Sequence, residues 1–268
     1  MGGGCINTTE VLEGCGQRYF VKLNDSDRFD MFAAESDGLS EIAASKSVRV
    51  PQPVCAGMHA GQAYLVLEYL DIGRGTGTSD ELLGRQLAAM HRTRSPRFGW
   101  RRANTIGSTP QINTPEDDWI TFYREHRLRF QFELVAKNGF GDNLQRRGDL
   151  LLENLPVFFA NYNPQPSLLH GDLWGGNHAV LSDGTPVIFD PAVYYGDRET
   201  DLAMTELFGG YGPRFYAAYH EAWPLDPGYP VRRNLYNLYH VLNHLNLFGG
   251  GYRGQAVQLI EQLLGESG

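Results

Sequence analysis

Apolar residues along this chain change their spacing near residue 70. Before it, short runs of β-branched and aromatic residues dominate. Tyr19-Phe20-Val21-Lys22-Leu23 and Ala63-Tyr64-Leu65-Val66-Leu67 have strand length, and Gly14 and Gly61 break the chain ahead of them. Both are expected in a small sheet. Between them Phe32, Leu39 and Ile42 recur at helical spacing from about Arg28 to Ser45, and Pro51 and Pro53 forbid any continuation. One helix should therefore accompany the sheet.

After the glycine-rich stretch Gly73 to Thr78, the helical period takes over. Ser79 is the expected N-cap of a helix to His91, and a second helix is expected from about Asp117 to Lys137. The exception is a pair of short strands, Asn177 to Val180 and Pro186 to Asp190, around the turn Ser182-Asp183-Gly184. The pattern divides the chain into a strand-rich part, residues 1–70, and a mainly helical part, residues 71–268.

Composition narrows the function classes. With 268 residues, 42% of them apolar, the chain can fill one large domain or two lobes. A formal charge of −8 supplies no field to attract nucleic acid or an anionic membrane, so neither partner is expected. Cys5, Cys15 and Cys55 lack a CxxC spacing, which fits neither a zinc site nor a disulfide framework and suits a reduced cytoplasm. No apolar run approaches the roughly 18 residues of a spanning helix, and Met1-Gly2-Gly3-Gly4 has neither part of a signal peptide.

The unusual residues sit beside the hairpin. In His170-Gly171-Asp172-Leu173-Trp174-Gly175-Gly176-Asn177, an aspartate precedes an asparagine by five positions, and Asp190 follows thirteen residues after Asn177. Phosphoryl transfer from ATP needs a carboxylate to accept the proton of the attacking hydroxyl, plus oxygen ligands that hold Mg2+ against the phosphates. Asp172, Asn177 and Asp190 match those roles in kinase order, although Gly171 stands where protein kinases carry arginine. Upstream, Lys22 ends an apolar run and Glu35 shares the apolar face of the predicted helix, three residues after Phe32. An inward carboxylate is costly unless paired, so Lys22 is its expected partner, with the lysine set on the ATP phosphates. Gly3, Gly4 and Cys5 lie in a glycine-rich segment of the kind whose backbone N–H groups cradle phosphate. Glu68, Tyr69 and Leu70 close the second strand where kinases bind adenine through backbone groups.

Taken in order, these segments resemble the fructosamine-3-kinase (ketosamine kinase) family, itself similar in fold to aminoglycoside phosphotransferases and choline kinases. The resemblance runs through GGGCIN from Gly2, FVKLN from Phe20, the helix around Met31 to Glu35, PQIN with DDW from Pro110 to Trp119, and HGDLWGGN from His170. FDPAVYYGDRETDLAMTELFGG from Phe189 and LYHVLNHLNLFGGGY from Leu238 look like this family rather than kinases at large. It implies an α+β, bilobal protein-kinase-like fold: a small antiparallel β-sheet lobe with one helix that binds nucleotide, and a helical catalytic lobe. It also implies ATP-dependent phosphorylation of the sugar 3-hydroxyl of ketosamines, free or protein-bound, whose products release the amine. Asp172 is then the proton acceptor, Asn177 and Asp190 the Mg2+ ligands, Lys22 and Glu35 the phosphate-positioning pair, Glu68 to Leu70 the adenine contacts, and Asp201 a brace for the catalytic loop. Trp174 either stacks on a sugar face or supports its own loop. Family members usually carry a helix and a strand ahead of the glycine-rich loop, where this chain begins, so an unpaired sheet edge is expected. The alternatives are an aminoglycoside- or choline-type phosphotransferase and an inactive nucleotide-binding pseudokinase. Cys5 on the phosphate loop offers a redox switch, one form of which is a Cys5–Cys5 bond within a homodimer. His240 and His244, four apart on an apolar helix, are read as packing residues.

Overall fold

The fold is a computed structural model that describes residues 7–267 other than Cys15, with Asp142 described by its backbone alone. Gly3, Gly4, Cys5 and Cys15, on which the phosphate-loop and cysteine expectations fall, lie outside the described residues. A four-stranded antiparallel sheet opens the chain: β1 (Thr8–Gly14), β2 (Gln17–Asp25), β3 (Pro53–His59) and β4 (Gln62–Glu68), in the order β1-β2-β4-β3. The expected runs are its two central strands. Both edge strands were missed: β1 is exposed along its whole length, and β3 is mostly exposed with a register shift between Pro53 and Cys55.

Alternation explains which face of the sheet is covered. Ala63, Leu65 and Leu67 of β4 are buried against Phe32, Leu39 and Ile42 of α1 (Phe29–Ala44). Lys22 lies directly opposite Leu65, and paired residues share a face, so the lysine points toward the same helix. Helix α1 is also tied to residues beyond the sheet. Arg102 reaches Asp37 at 2.7 Å and pairs with Asp30, Tyr195 donates to Glu41 Oε1 at 2.8 Å, and a side chain at Gly38 would stand 3.1 Å from Val193 Cγ2.

The remaining elements are mainly helical. Helix α2 (Gly77–His91) is capped by Thr76, whose hydroxyl accepts from the Ser79 N–H at 3.3 Å. Ser79 is thus the third helical residue and not the N-cap; its own hydroxyl donates to the Gly184 carbonyl at 3.1 Å, joining α2 to the hairpin turn. After the hairpin β5 (Asn104–Ile106) and β6 (Thr109–Gln111), the expected second helix is present but interrupted. Asp118 caps α3 (Trp119–Tyr123), a π-helical segment spans Arg124–Arg129, and α4 (Phe130–Lys137) resumes. The wider turn accompanies an inward Arg127, fully buried with its guanidinium 4.1 Å from the Tyr194 ring centre and donating to Asn113 Oδ1 at 2.8 Å.

Helix α5 (Asp142–Asn154) leads to β7 (Ser167–Leu169) and the predicted hairpin β8 (His178–Val180) and β9 (Pro186–Ile188). Then come β10 (Tyr194–Gly196), α6 (Glu199–Leu207), α7 (Pro213–Ala222), α8 (Tyr229–Phe248) and α9 (Arg253–Glu266). Helix α8 contributes Leu235, Leu238, Val241, Leu242 and Leu245 to this core, all wholly buried. Among the described residues no helix is long and apolar enough to cross a membrane.

Candidate active site

The catalytic-loop sequence is held from below by buried hydrogen bonds. Leu168 and Leu169, fully buried in β7, deliver the chain to His170. Its ring is neutral, because burial holds the imidazole below its ordinary pKa. Nε2 lies 2.9 Å from the Phe189 carbonyl and must donate to it, which leaves Nδ1 to accept from the Asp172 N–H at 3.3 Å. One ring thus links the segment carrying Asp172 to the one carrying Asp190.

Asp201, at the start of α6, accepts the N–H groups of His170 at 2.7 Å and Gly171 at 2.8 Å. Its third partner is His91 Nε2 at 3.1 Å; that imidazole, kept neutral by burial, donates to the carboxylate and accepts from the Tyr219 hydroxyl at 2.8 Å. Arg198 donates to the same hydroxyl at 3.0 Å. Burial alone would raise the Asp201 carboxyl, but His91 and the backbone donors hold it below the usual carboxylate range. Gly171 is required here. Its φ is +83°, and a β-carbon would stand 2.1 Å from the Ala192 carbonyl oxygen, so the arginine that protein kinases carry does not fit.

The loop opens onto a cleft of about 700 Å³, lined in part by Lys22, Glu35, Asp172, Trp174, Asn177 and Asp190. Lys22 Nζ stands 2.6 Å from Glu35 Oε1 and 2.5 Å from Asp190 Oδ1. Burial pushes this ammonium down, yet the two carboxylates outweigh it and hold the lysine charged. Asn177 donates its amide to the Asp172 carbonyl at 2.9 Å, leaving its Oδ1 free to accept. Asp190 adopts the left-handed region, φ +58°, rare for a residue other than glycine and frequent at functional sites. The Asp172 carboxyl is pushed up to about 7, first by burial and then by the charges of Asp190 and Asp201, with Asn177 pulling the other way.

The hairpin β5–β6 backs this arrangement. Asn104 donates to the Val193 carbonyl at 2.8 Å and Gln111 to the Ala192 carbonyl at 3.0 Å, fixing the chain that leaves Asp190. Trp174 lies with its ring over Gly176, where a β-carbon would sit 2.2 Å from Cη2, yet it is 39% exposed and lines the cleft. It therefore supports its own loop and still presents a free face.

The expected adenine contacts are not among the residues described around the cleft. Glu68, Tyr69 and Leu70 lie outside its described lining. The Glu68 side chain pairs with Arg49, its N–H donates to the Gln52 carbonyl at 2.9 Å, and the Tyr69 ring is covered by Arg18 at 4.1 Å. Sequence reasoning in turn missed the part of the wall formed by Phe208, Asn243, His244, Phe248 and Tyr252. His240 is fully buried, as read, but His244 faces the cleft.

These features define a class before they define a protein. A structure from Haemophilus somnus named putative fructosamine-3-kinase superposes with a TM-score of 0.90 at 30% identity, covering 98% of this chain and 90% of that one. The chain thus has the bilobal, protein-kinase-like α+β fold of an ATP-dependent small-molecule kinase. Residues 1–266 match the family described as fructosamine kinase. A protein of Synechocystis named probable ketoamine kinase is 49% identical over 98% of this chain and 88% of its own length. The chloroplastic protein-ribulosamine 3-kinase of Arabidopsis thaliana is 45% identical over 98% and 81%. The chain belongs to the fructosamine kinase family.

Proposed function

We propose that this enzyme transfers the γ-phosphoryl group of ATP to the 3-hydroxyl of a ketosamine, free or protein-bound, a deglycation repair step. The observation that carries the reading is the meeting of Asp172, Asn177, Asp190 and the charged Lys22 on one cleft. Relatives named ketoamine kinase and ribulosamine 3-kinase supply the acceptor class. Asp172 takes the proton of the sugar hydroxyl as its oxygen bonds to the γ-phosphorus, the bond to the ADP oxygen breaks, and ADP leaves. Lys22, braced by Glu35, neutralises the α- and β-phosphates, and the exposed face of Trp174 takes the sugar ring. We place the division between nucleotide-binding and catalytic lobes after Leu70.

The donors suit Mg2+. Asn177 Oδ1 and the Asp190 carboxylate, whose side chain is 46% exposed, are hard oxygens. Among the described residues no three or more His, Cys, Asp or Glu are grouped so as to hold a metal ion by themselves, and Mg2+ is commonly held by one or two protein oxygens with phosphate oxygens and water. Held by Asn177 and Asp190, such an ion would supply positive charge against that of the phosphates.

Incubation of a synthetic fructosyl- or ribulosyl-amine with ATP is expected to yield the 3-phosphate, read by 31P and 13C NMR. Phosphorylation of choline or an aminoglycoside with ketosamines untouched, or no transfer at all, would overturn this reading.

A pH dependence follows from Asp172. Only its carboxylate accepts a proton, and with the group titrating at about 7 that form is lost as pH falls through neutrality. The kcat/KM profile is expected to drop about tenfold per pH unit below that point. A flat profile down to pH 5 would remove Asp172 as the base.

A further inference from the structure

Where α8 faces the cleft, the wall is aromatic. The His244 ring centre lies 4.8 Å from Phe208, 5.4 Å from Phe248 and 5.1 Å from Tyr252. Its Nδ1 stands 2.8 Å from the carbonyl of His240, one turn back. A carbonyl can only accept, so Nδ1 carries the hydrogen and Nε2, on the opposite side of the ring from the helix backbone, holds a lone pair. Burial keeps this imidazole below its ordinary pKa, so the ring is neutral and the hydrogen on Nδ1 leaves the lone pair on Nε2. Among the described residues no donor is bonded to Nε2.

The charges of the cleft sharpen what this acceptor is for. The carboxylates of its described lining are Glu35, Asp172 and Asp190, which pair with Lys22 or serve the phosphoryl-transfer step. A cation on the acceptor molecule that reaches α8 therefore meets π faces and one neutral nitrogen, a combination suited to a protonated amine with a hydrogen to donate. A sugar hydroxyl would use the nitrogen but leave the surrounding rings without a role. Position agrees. Phe248 is 55% exposed and Phe208 40%, so this part of the wall lies at the mouth, where a substituent on the amine can leave the cleft.

We propose that His244, with Phe208, Phe248 and Tyr252, forms the subsite for the protonated secondary amine of a ketosamine, Nε2 accepting its N–H while the rings face its charge and its substituent passes outward between Phe208 and Phe248. This rests on the ketosamine reading above and assigns the other end of the acceptor. The amine nitrogen is four bonds from the oxygen phosphorylated, and Asp172 and His244 line the same cleft.

The test compares two acceptors, an N-alkyl fructosylamine and the matching 1-O-alkyl fructose in which oxygen replaces nitrogen. His244→Phe, which keeps an aromatic ring and removes the acceptor, is expected to raise KM for the amine by about ten- to a hundredfold, with KM for ATP unmoved. For the ether, wild type and variant should share one high KM. His244→Gln restores an acceptor and should recover part of the amine KM, with wild-type melting behaviour excluding a folding defect. Equal losses on amine and ether, or no loss on either, would overturn the subsite and leave the kinase reading intact. Failure of wild type to phosphorylate any ketosamine would overturn the ketosamine reading and the subsite together.

Discussion

Replacement of Asp172 by alanine is expected to lower kcat by about 10² to 10⁴, the usual contribution of a positioned general base, while ATP affinity changes little. The separation follows from the geometry: Asp172 shares the cleft with the phosphate-side residues but forms no ion pair with Lys22, whose partners are Glu35 and Asp190. Asp172→Asn should behave similarly, because it keeps the shape and loses the basic oxygen. ADP release in a coupled assay gives turnover and calorimetry gives ATP binding. Retention of more than about a tenth of wild-type kcat would contradict a base of this strength.

The second large effect is expected from Asp201→Ala, and it acts through the fold. That side chain is 1% exposed and receives three buried donors, from His91, His170 and Gly171. Removing it leaves them unsatisfied, at about 1–3 kcal/mol for each such group, so a total of at least about 3 kcal/mol is expected. An exposed pair such as Arg147 and Glu261 contributes at most about 1 kcal/mol, which makes a useful control. Thermal unfolding of Asp201→Ala should fall by about 10 °C. At temperatures where the variant is folded, kcat should still be reduced, since the loop carrying Asp172 has lost its brace. A melting temperature within about 2 °C of wild type would show that the N–H groups find other partners.

How much of this was legible beforehand depended on whether the signal was local. The central strands showed themselves because Phe20, Val21, Leu65 and Val66 are β-branched or apolar and continuous. Strand β1 did not, since its side chains are exposed and make no hydrophobic pattern, and β3 was hidden by Pro53 and Gly57. Asp172, Asn177 and Asp190 could be found by spacing, because one loop and one hairpin bring them together. Lys22 and Glu35 meet because an inward charge on an apolar face needs a partner. The chain of Arg198, Tyr219, His91 and Asp201 joins segments more than a hundred residues apart, for which a single sequence carries no signal. His244 shows the remaining limit: helical periodicity separates an inward face from an outward one, but it cannot tell a cleft from a core.

The ties on α1 bear on how such an enzyme is governed. Glu35 sits between anchors at Asp30, Asp37 and Glu41 that bind the helix to Arg102 and Tyr195, so the Lys22–Glu35 pair is held in place by contacts within the same chain. Rotating the helix away would break several of these contacts at once. A kinase assembled this way stands ready whenever nucleotide is present. Its output would then be metered by the supply of acceptor and not by a separate activating event.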